Sequence, residues 1–165
     1  MFRTITNSNI KQILEDHSLW INSCGKQGKQ ADFRNQNLSG TNLYNISLAY
    51  ANLSYANLEN ASLKDASLIY ANLTGANLIG ANLTYTNLYY ANLANANLAN
   101  ANLYNAYLTS TNLTNANLEN VKGVQVFKCF YVENNEKKIQ YFLHSIEAKK
   151  EMSKRLANRQ CSWVE

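Results

Sequence analysis

Apolar and polar residues recur in blocks of five from Ala31 onward, without an insertion: ADFRN, QNLSG, TNLYN, ISLAY, ANLSY, ANLEN, and so on to Asn120. These are eighteen blocks. Phe33 stands at the centre of the first, and Leu at the centre of every other. The leucines are Leu38, Leu43, Leu48, Leu53, Leu58, Leu63, Leu68, Leu73, Leu78, Leu83, Leu88, Leu93, Leu98, Leu103, Leu108, Leu113 and Leu118. Two residues before the centre stands Ala in thirteen blocks, replaced by Gln36, Thr41, Ile46, Thr86 and Thr111. Between the two sits Asn in thirteen, the others being Asp32, Ser47, Ser62, Ser67 and Tyr107. A period of five fits neither regular element. Each step of five turns an α-helix by about 140°, and on a flat strand it alternates faces. The backbone must therefore turn once per block. Ala and Leu, two apart, share one side of a short extended piece, with Asn on the other. This places Leu and Ala inside and Asn outside, and leaves the Asn-, Gly- and Ser-rich last two positions to form the corner. A buried leucine contributes roughly 1.5 to 3 kcal/mol before conformational entropy is subtracted, so this column is scaffold.

Tandem A-(N/D)-L-x-x blocks resemble the pentapeptide-repeat family, over residues 31–120. The short lead-in HSLWINSCGKQGKQADF resembles that of some cyanobacterial members. The resemblance implies an all-β solenoid, a right-handed quadrilateral β-helix in which four blocks close one coil. Eighteen blocks would give about 4.5 coils, and strands about 4.8 Å apart would make a rod about 20 Å long. Stacked coils leave open edges at both ends, which the flanks are expected to cover.

The expected organisation is an N-terminal helical cap over 1–30, the repeat over 31–125 and a C-terminal capping or tail segment over 126–165. Residues 8–20 read as a helix that Ser8 or Asn9 caps, with Ile10, Ile13, Leu14 and His17 near one stripe and Trp20 just beyond. His17 and Trp20 are read as packing. GKQGKQ has a superficial likeness to a phosphate loop, but Ser23 and Gln30 stand where that motif needs Gly and Ser or Thr. A connecting turn is the better reading. After Asn120 the rule decays through VKGVQ. VQVFKCFYV and KIQYFLH read as two strands around ENNEKK, and residues 146–158 as a helix.

Composition and charge narrow the function. The net charge of +4 is uneven. Residues 31–120 carry two basic and four acidic side chains, and residues 121–165 carry nine and five. The opening MFRTITNSNI has no signal-peptide core and no stretch approaches a membrane span, so a cytoplasmic protein is expected. Cys24, Cys129 and Cys161 are widely separated, with no CxxC pair, and read as reduced thiols. His17 and His144 lie in opposite flanks, and no nucleophile elbow, HExxH or paired carboxylate is present. The expectation is no enzyme, no metal and no cofactor.

Residues twenty apart should stack if four blocks close a coil. Tyr50, Tyr70 and Tyr90 then form one column, and Ala49, Ile69 and Tyr89 the next. The same face loses Asn at Ser47, Ser67 and Tyr107, and Tyr55 and Tyr85 are placed at its corners. Tyr50, Ile69, Tyr70, Tyr85, Tyr89, Tyr90 and Tyr107 are the candidate interaction face, as against a ladder that only stabilises the sheet. The family resemblance implies two kinds of activity: gyrase protection by an acidic rod that mimics DNA, and regulation through protein contacts. Only Asp32, Glu59, Asp65 and Glu119 are acidic in the body, so mimicry lacks its charge. The expected function is a non-enzymatic interaction, scaffold or regulatory role, with a protein partner or a second copy in a homodimer. A DNA-mimicking gyrase binder is the first alternative. Nucleic-acid contact through the basic tail is the second, although nucleic acid is not the expected partner.

Overall fold

A computed structural model describes residues 3–124, 126–133 and 136–143. Throughout the repeat, parallel bridges join positions twenty apart, from Asp32↔Asn52 to Asn102↔Lys122. Four pentads thus bring the chain back over itself, one per side of a four-sided β-helix. Each rung is made by the second residue of a pentad. Asn72 donates its N–H to the Ala51 carbonyl at 2.9 Å and accepts from the Leu53 N–H at 2.7 Å. The pattern satisfies backbone groups between coils, so the inner face can be wholly apolar. Leu53, Leu73 and Leu93 are fully buried, as are the alanines two residues before Leu58, Leu63 and Leu78.

The corners have a chemistry that the composition only hinted at. The fifth residue of every pentad has positive φ, whether Gly40, Gly75 and Gly80 or the fifteen others from Asn35 to Asn120. The following N–H closes the turn onto the central carbonyl, as Ala56 does on Leu53 at 3.1 Å. Asn is more than an outward coat. Its Oδ1 accepts from the N–H two residues on, as in Asn72 to Thr74 and Asn102 to Tyr104, both at 3.1 Å. Every second-position Asn makes this bond. The side chain imitates a turn of backbone and ties off a donor that the corner would otherwise leave unpaired. Inward threonines are tolerated because the hydroxyl finds a carbonyl: Thr86 donates to Leu63 at 2.7 Å.

Ahead of the rod, β1 (Arg3–Thr4) pairs in parallel with β2 (Gln36–Asn37) on the rim of the first coil. Helix α1 (Asn7–Asn22) follows. Its cap is Thr6, not Ser8 or Asn9: the Thr6 Oγ1 accepts from the Asn9 N–H at 3.2 Å. Ile5 before the cap and Ile10 both join the core, so a hydrophobic pair brackets the first turn and fixes the helix start. Ile10, Ile13 and Leu14 meet the first coil. Gly28 needs its lack of a side chain, since a Cβ would collide with the Asp16 carbonyl. GKQGKQ is thus a tight connection folded against α1.

Beyond the rod, β3 (Val126–Glu133) and β4 (Glu136–Leu143) form an antiparallel hairpin, with Val126 opposite Leu143 and Glu133 opposite Glu136. β4 begins two residues ahead of Lys138, where the sequence reading placed its strand. The expected helix over 146–158 and the bulk of the basic tail lie outside the described residues.

Candidate interaction face

The side of the rod built from the pentads that begin at Ile46, Ala66, Thr86 and Ala106 carries the tyrosines. Tyr50 stacks on Tyr70 at 5.2 Å between ring centroids and 8° between planes. Tyr70 stacks on Tyr90 at 5.1 Å and 4°. The coil spacing sets the ring spacing, because each ring stands on the same corner of successive coils. Tyr89 turns its edge to Tyr90 at 4.4 Å and to Tyr70 at 6.3 Å. The neighbouring Tyr90 hydroxyl holds the Tyr89 phenol above its ordinary pKa. The stacked faces are covered while the edges stay open, and Tyr50, Tyr70 and Tyr90 remain 49%, 46% and 46% exposed. Ile69 is half-buried. Tyr85 and Tyr107 are 48% and 62% exposed and make no ring stacking of their own among the described residues.

Tyr55 needs a correction. It stands one corner further round, where its ring lies over Gly75, and a Cβ at Gly75 would meet that ring at 2.5 Å. Fifth positions twenty apart share a corner, so Tyr55 belongs with Gly75, on a corner that does not adjoin the tyrosine face. Tyr44 and Tyr104 are also exposed, on the neighbouring side, and were not singled out from the sequence. Their signal was the same twenty-residue stacking count, applied to the fourth position of the pentad.

The corner tyrosines occupy a conformation that disfavours them. Tyr50, Tyr55, Tyr70, Tyr85 and Tyr90 have φ between 55° and 66°. A bulky residue there is strained by about 1 to 2 kcal/mol, whereas Asn or Gly sits more easily. Stacking helps offset this at Tyr50, Tyr70 and Tyr90. At Tyr85 nothing comparable does, so Tyr85→Asn should stabilise the rod by about 0.5 to 1 kcal/mol. A lower denaturation midpoint for the variant would refute the strain argument.

The ladder continues into the N-terminal helix. The Trp20 ring meets Tyr50 edge-on at 6.3 Å and stacks on His17 at 5.8 Å. Fully buried His17 accepts from the Ala31 N–H through Nδ1 at 3.1 Å. This makes Nε2 the protonated nitrogen of a neutral ring. Nε2 has no hydrogen-bond partner, and the nearby Ala49 carbonyl favours the charged ring less than burial opposes it. Burial thus lowers the His17 pKa from 6.5. Above pH 6.5 both folded and unfolded chains carry a neutral ring and the stabilisation is complete. As pH falls below 6.5, the unfolded chain takes up a proton that the folded one refuses, so stability declines towards the lowered folded value. His17→Asn keeps an acceptor for Ala31 and should flatten this slope in denaturation curves recorded between pH 7 and pH 5. An unchanged slope would assign the acid sensitivity elsewhere.

Charge is sparse on the rod. Asp32 and Arg34 pair at 2.6 Å, and this bond holds the Asp32 carboxyl below its usual range. Among the described residues no cluster of His, Cys, Asp or Glu could hold a metal ion, and no helix is long and apolar enough to cross a membrane.

The family model for pentapeptide repeats matches in eight copies, over residues 29–65, 61–98 and 86–122. Among solved structures the chain is similar to HetL of the cyanobacterium Nostoc sp. strain PCC 7120, described as a pentapeptide repeat protein involved in heterocyst differentiation regulation. The identity is 38% over 57% of this chain and 46% of that one, with a TM-score of 0.54. The chain therefore spans less than half the length of HetL. It is also similar to Rfr23 of Cyanothece 51142, at 40% identity over 59% of this chain and 63% of that one, TM-score 0.33. QnrB1, a plasmid-mediated fluoroquinolone resistance protein, matches at 20% identity over 53% and 58%, TM-score 0.43. No curated protein matches. With inward Leu and Ala, a corner every fifth residue and coils twenty residues apart, the chain belongs to the pentapeptide-repeat family, whose fold is the right-handed quadrilateral β-helix.

Proposed function

We propose that this chain is a non-enzymatic interaction protein, scaffold or regulator, in which a rigid rod of about 4.5 coils presents its tyrosine face to a protein partner in the cytoplasm. Its organisation follows the division into 1–30, 31–125 and 126–165, with the flanks capping the rod ends. The observation that carries the reading is the half-exposed Tyr50, Tyr70 and Tyr90 ladder, built on backbone that disfavours tyrosine. Strain retained at an exposed aromatic patch points to use of that patch, and rigid tyrosines bury large area at small entropic cost. HetL's involvement in regulation supports a regulatory role here. A gyrase-directed DNA mimic is disfavoured, because Asp32 is already neutralised by Arg34 and few acids remain to imitate phosphates.

The test is photocrosslinking in cell extract, with benzoylphenylalanine in place of Tyr85 or Tyr107, or of Glu119 two pentads away from Tyr107 on the opposite side. Discrete protein adducts from the two tyrosine positions and none from Glu119 would support the face. Adducts of equal yield from all three, or from none, would remove it.

A further inference from the structure

The first coil has a rim with no coil before it. Within the rod, the second residue of each pentad turns its N–H and C=O towards the preceding coil, as Asn72 does towards Ala51 and Leu53. In the first coil those groups belong to Asp32, Asn37, Asn42 and Ser47, and they point out of the end. β1 takes the place of a preceding strand at Asn37, with Thr4 as its register partner. After Thr4 the chain leaves the rim and turns into α1. The N–H and C=O of Asn42 consequently have no backbone partner among the described residues.

Beside Asn42 lies a groove of about 760 Å³ between α1 and the rim. Ile10 and Leu14 of α1 line one side, and Thr41, Leu43 and Ile46 the other. The apolar layer is not closed there. Thr41 and Ile46 stay partly exposed, while Ala61 and Ala66, which stack below them, are 0% and 1% exposed. The sequence marks the same place: three of the four first-coil pentads have Gln36, Thr41 and Ile46 where Ala is the rule. Leu43 and Ile46, with the methyl of Thr41, thus set an apolar wall next to an open strand edge.

We propose that this groove binds an extended peptide segment of a protein partner, paired in parallel with Asn42 as β1 is paired with Gln36–Asn37, and with an apolar side chain lodged between Leu14 and Ile46. An open edge offering a donor and an acceptor fits a peptide unit, and alternate side chains of a strand would enter the apolar layer. Lys11 and Glu15 on the groove's flank pair with each other at 3.8 Å and are well exposed, so backbone pairing and apolar contact, not net charge, provide recognition. The site is separate from the tyrosine face.

The probes are peptides selected from a random-peptide phage library panned against the full chain, then synthesised and measured by fluorescence anisotropy. Asn42→Pro removes the N–H, whereas Asn42→Ser keeps it and removes only the amide side chain that serves Tyr44. Selected peptides should place apolar residues at alternate positions and bind Asn42→Ser like the unmutated chain. They should bind Asn42→Pro about tenfold or more weakly, and Tyr70→Ser as well as the unmutated chain. In the unmutated protein, peptide addition should slow hydrogen exchange at the Asn42 amide, a readout that stands even if the proline variant fails to fold. Failure to select any peptide, equal affinity for the serine and proline variants, or an unaltered Asn42 amide in the complex would each overturn the proposal.

Discussion

Ala76→Asp is expected to unfold the rod or cost about 4 kcal/mol or more, because it places an uncompensated carboxylate in an apolar column. Ala76 is fully buried. Ala76→Thr should cost much less, since an inward threonine hydroxyl has a carbonyl to donate to. Thr86 and Thr111 do this to Leu63 and Leu88 at 2.7 and 2.8 Å. An ionised carboxylate cannot donate, and the carbonyls around it would repel it. Urea denaturation of the two variants checks the contrast. Similar stability for both would mean that residue 76 is not inside.

Leu73→Ala is expected to cost about 3 to 5 kcal/mol, against less than half of that for Leu113→Ala. Leu73 is fully buried between the Leu53 and Leu93 rungs, whereas Leu113, in the same column on the last coil, is only partly buried. A solenoid packs each layer only on its neighbours, so a gap in the middle cannot be filled from elsewhere. The terminal layer has less to lose. Equal costs would contradict a stacked column.

Much of this was legible in the sequence because the repeat is strict. One leucine per five residues excludes helix and flat strand, and the side of each tyrosine follows from counting in twenties. Where the count slipped, at Tyr55, the error was geometric: a corner adjoins only two sides, and Tyr55 shares its corner with Gly75. The role of Asn was half-read. Alternation placed it outside, but its bond to the N–H two residues on depends on a torsion that composition does not reveal. At the helix start Thr6, Ser8 and Asn9 are all competent caps, and burial of Ile5 with Ile10 decides among them. β1 has two residues, too few for any pattern, and its partner on the first coil is more than thirty positions away. The link from His17 through Trp20 to Tyr50 was equally hidden, since only the docking of α1 brings those rings together.

The tyrosine ladder is the feature from which the functional account stands or falls. The direct measurement is the affinity of the crosslinked partner for the unmutated chain and for Tyr70→Ser with Tyr90→Ser, taken with denaturation curves for both. The core beneath is untouched and a serine already holds an equivalent corner at Ser110, so the account predicts that the double variant keeps its stability within about 1 kcal/mol and binds about a hundredfold or more weakly. Unchanged affinity at unchanged stability would contradict it and leave the ladder as a stabiliser of the rod alone.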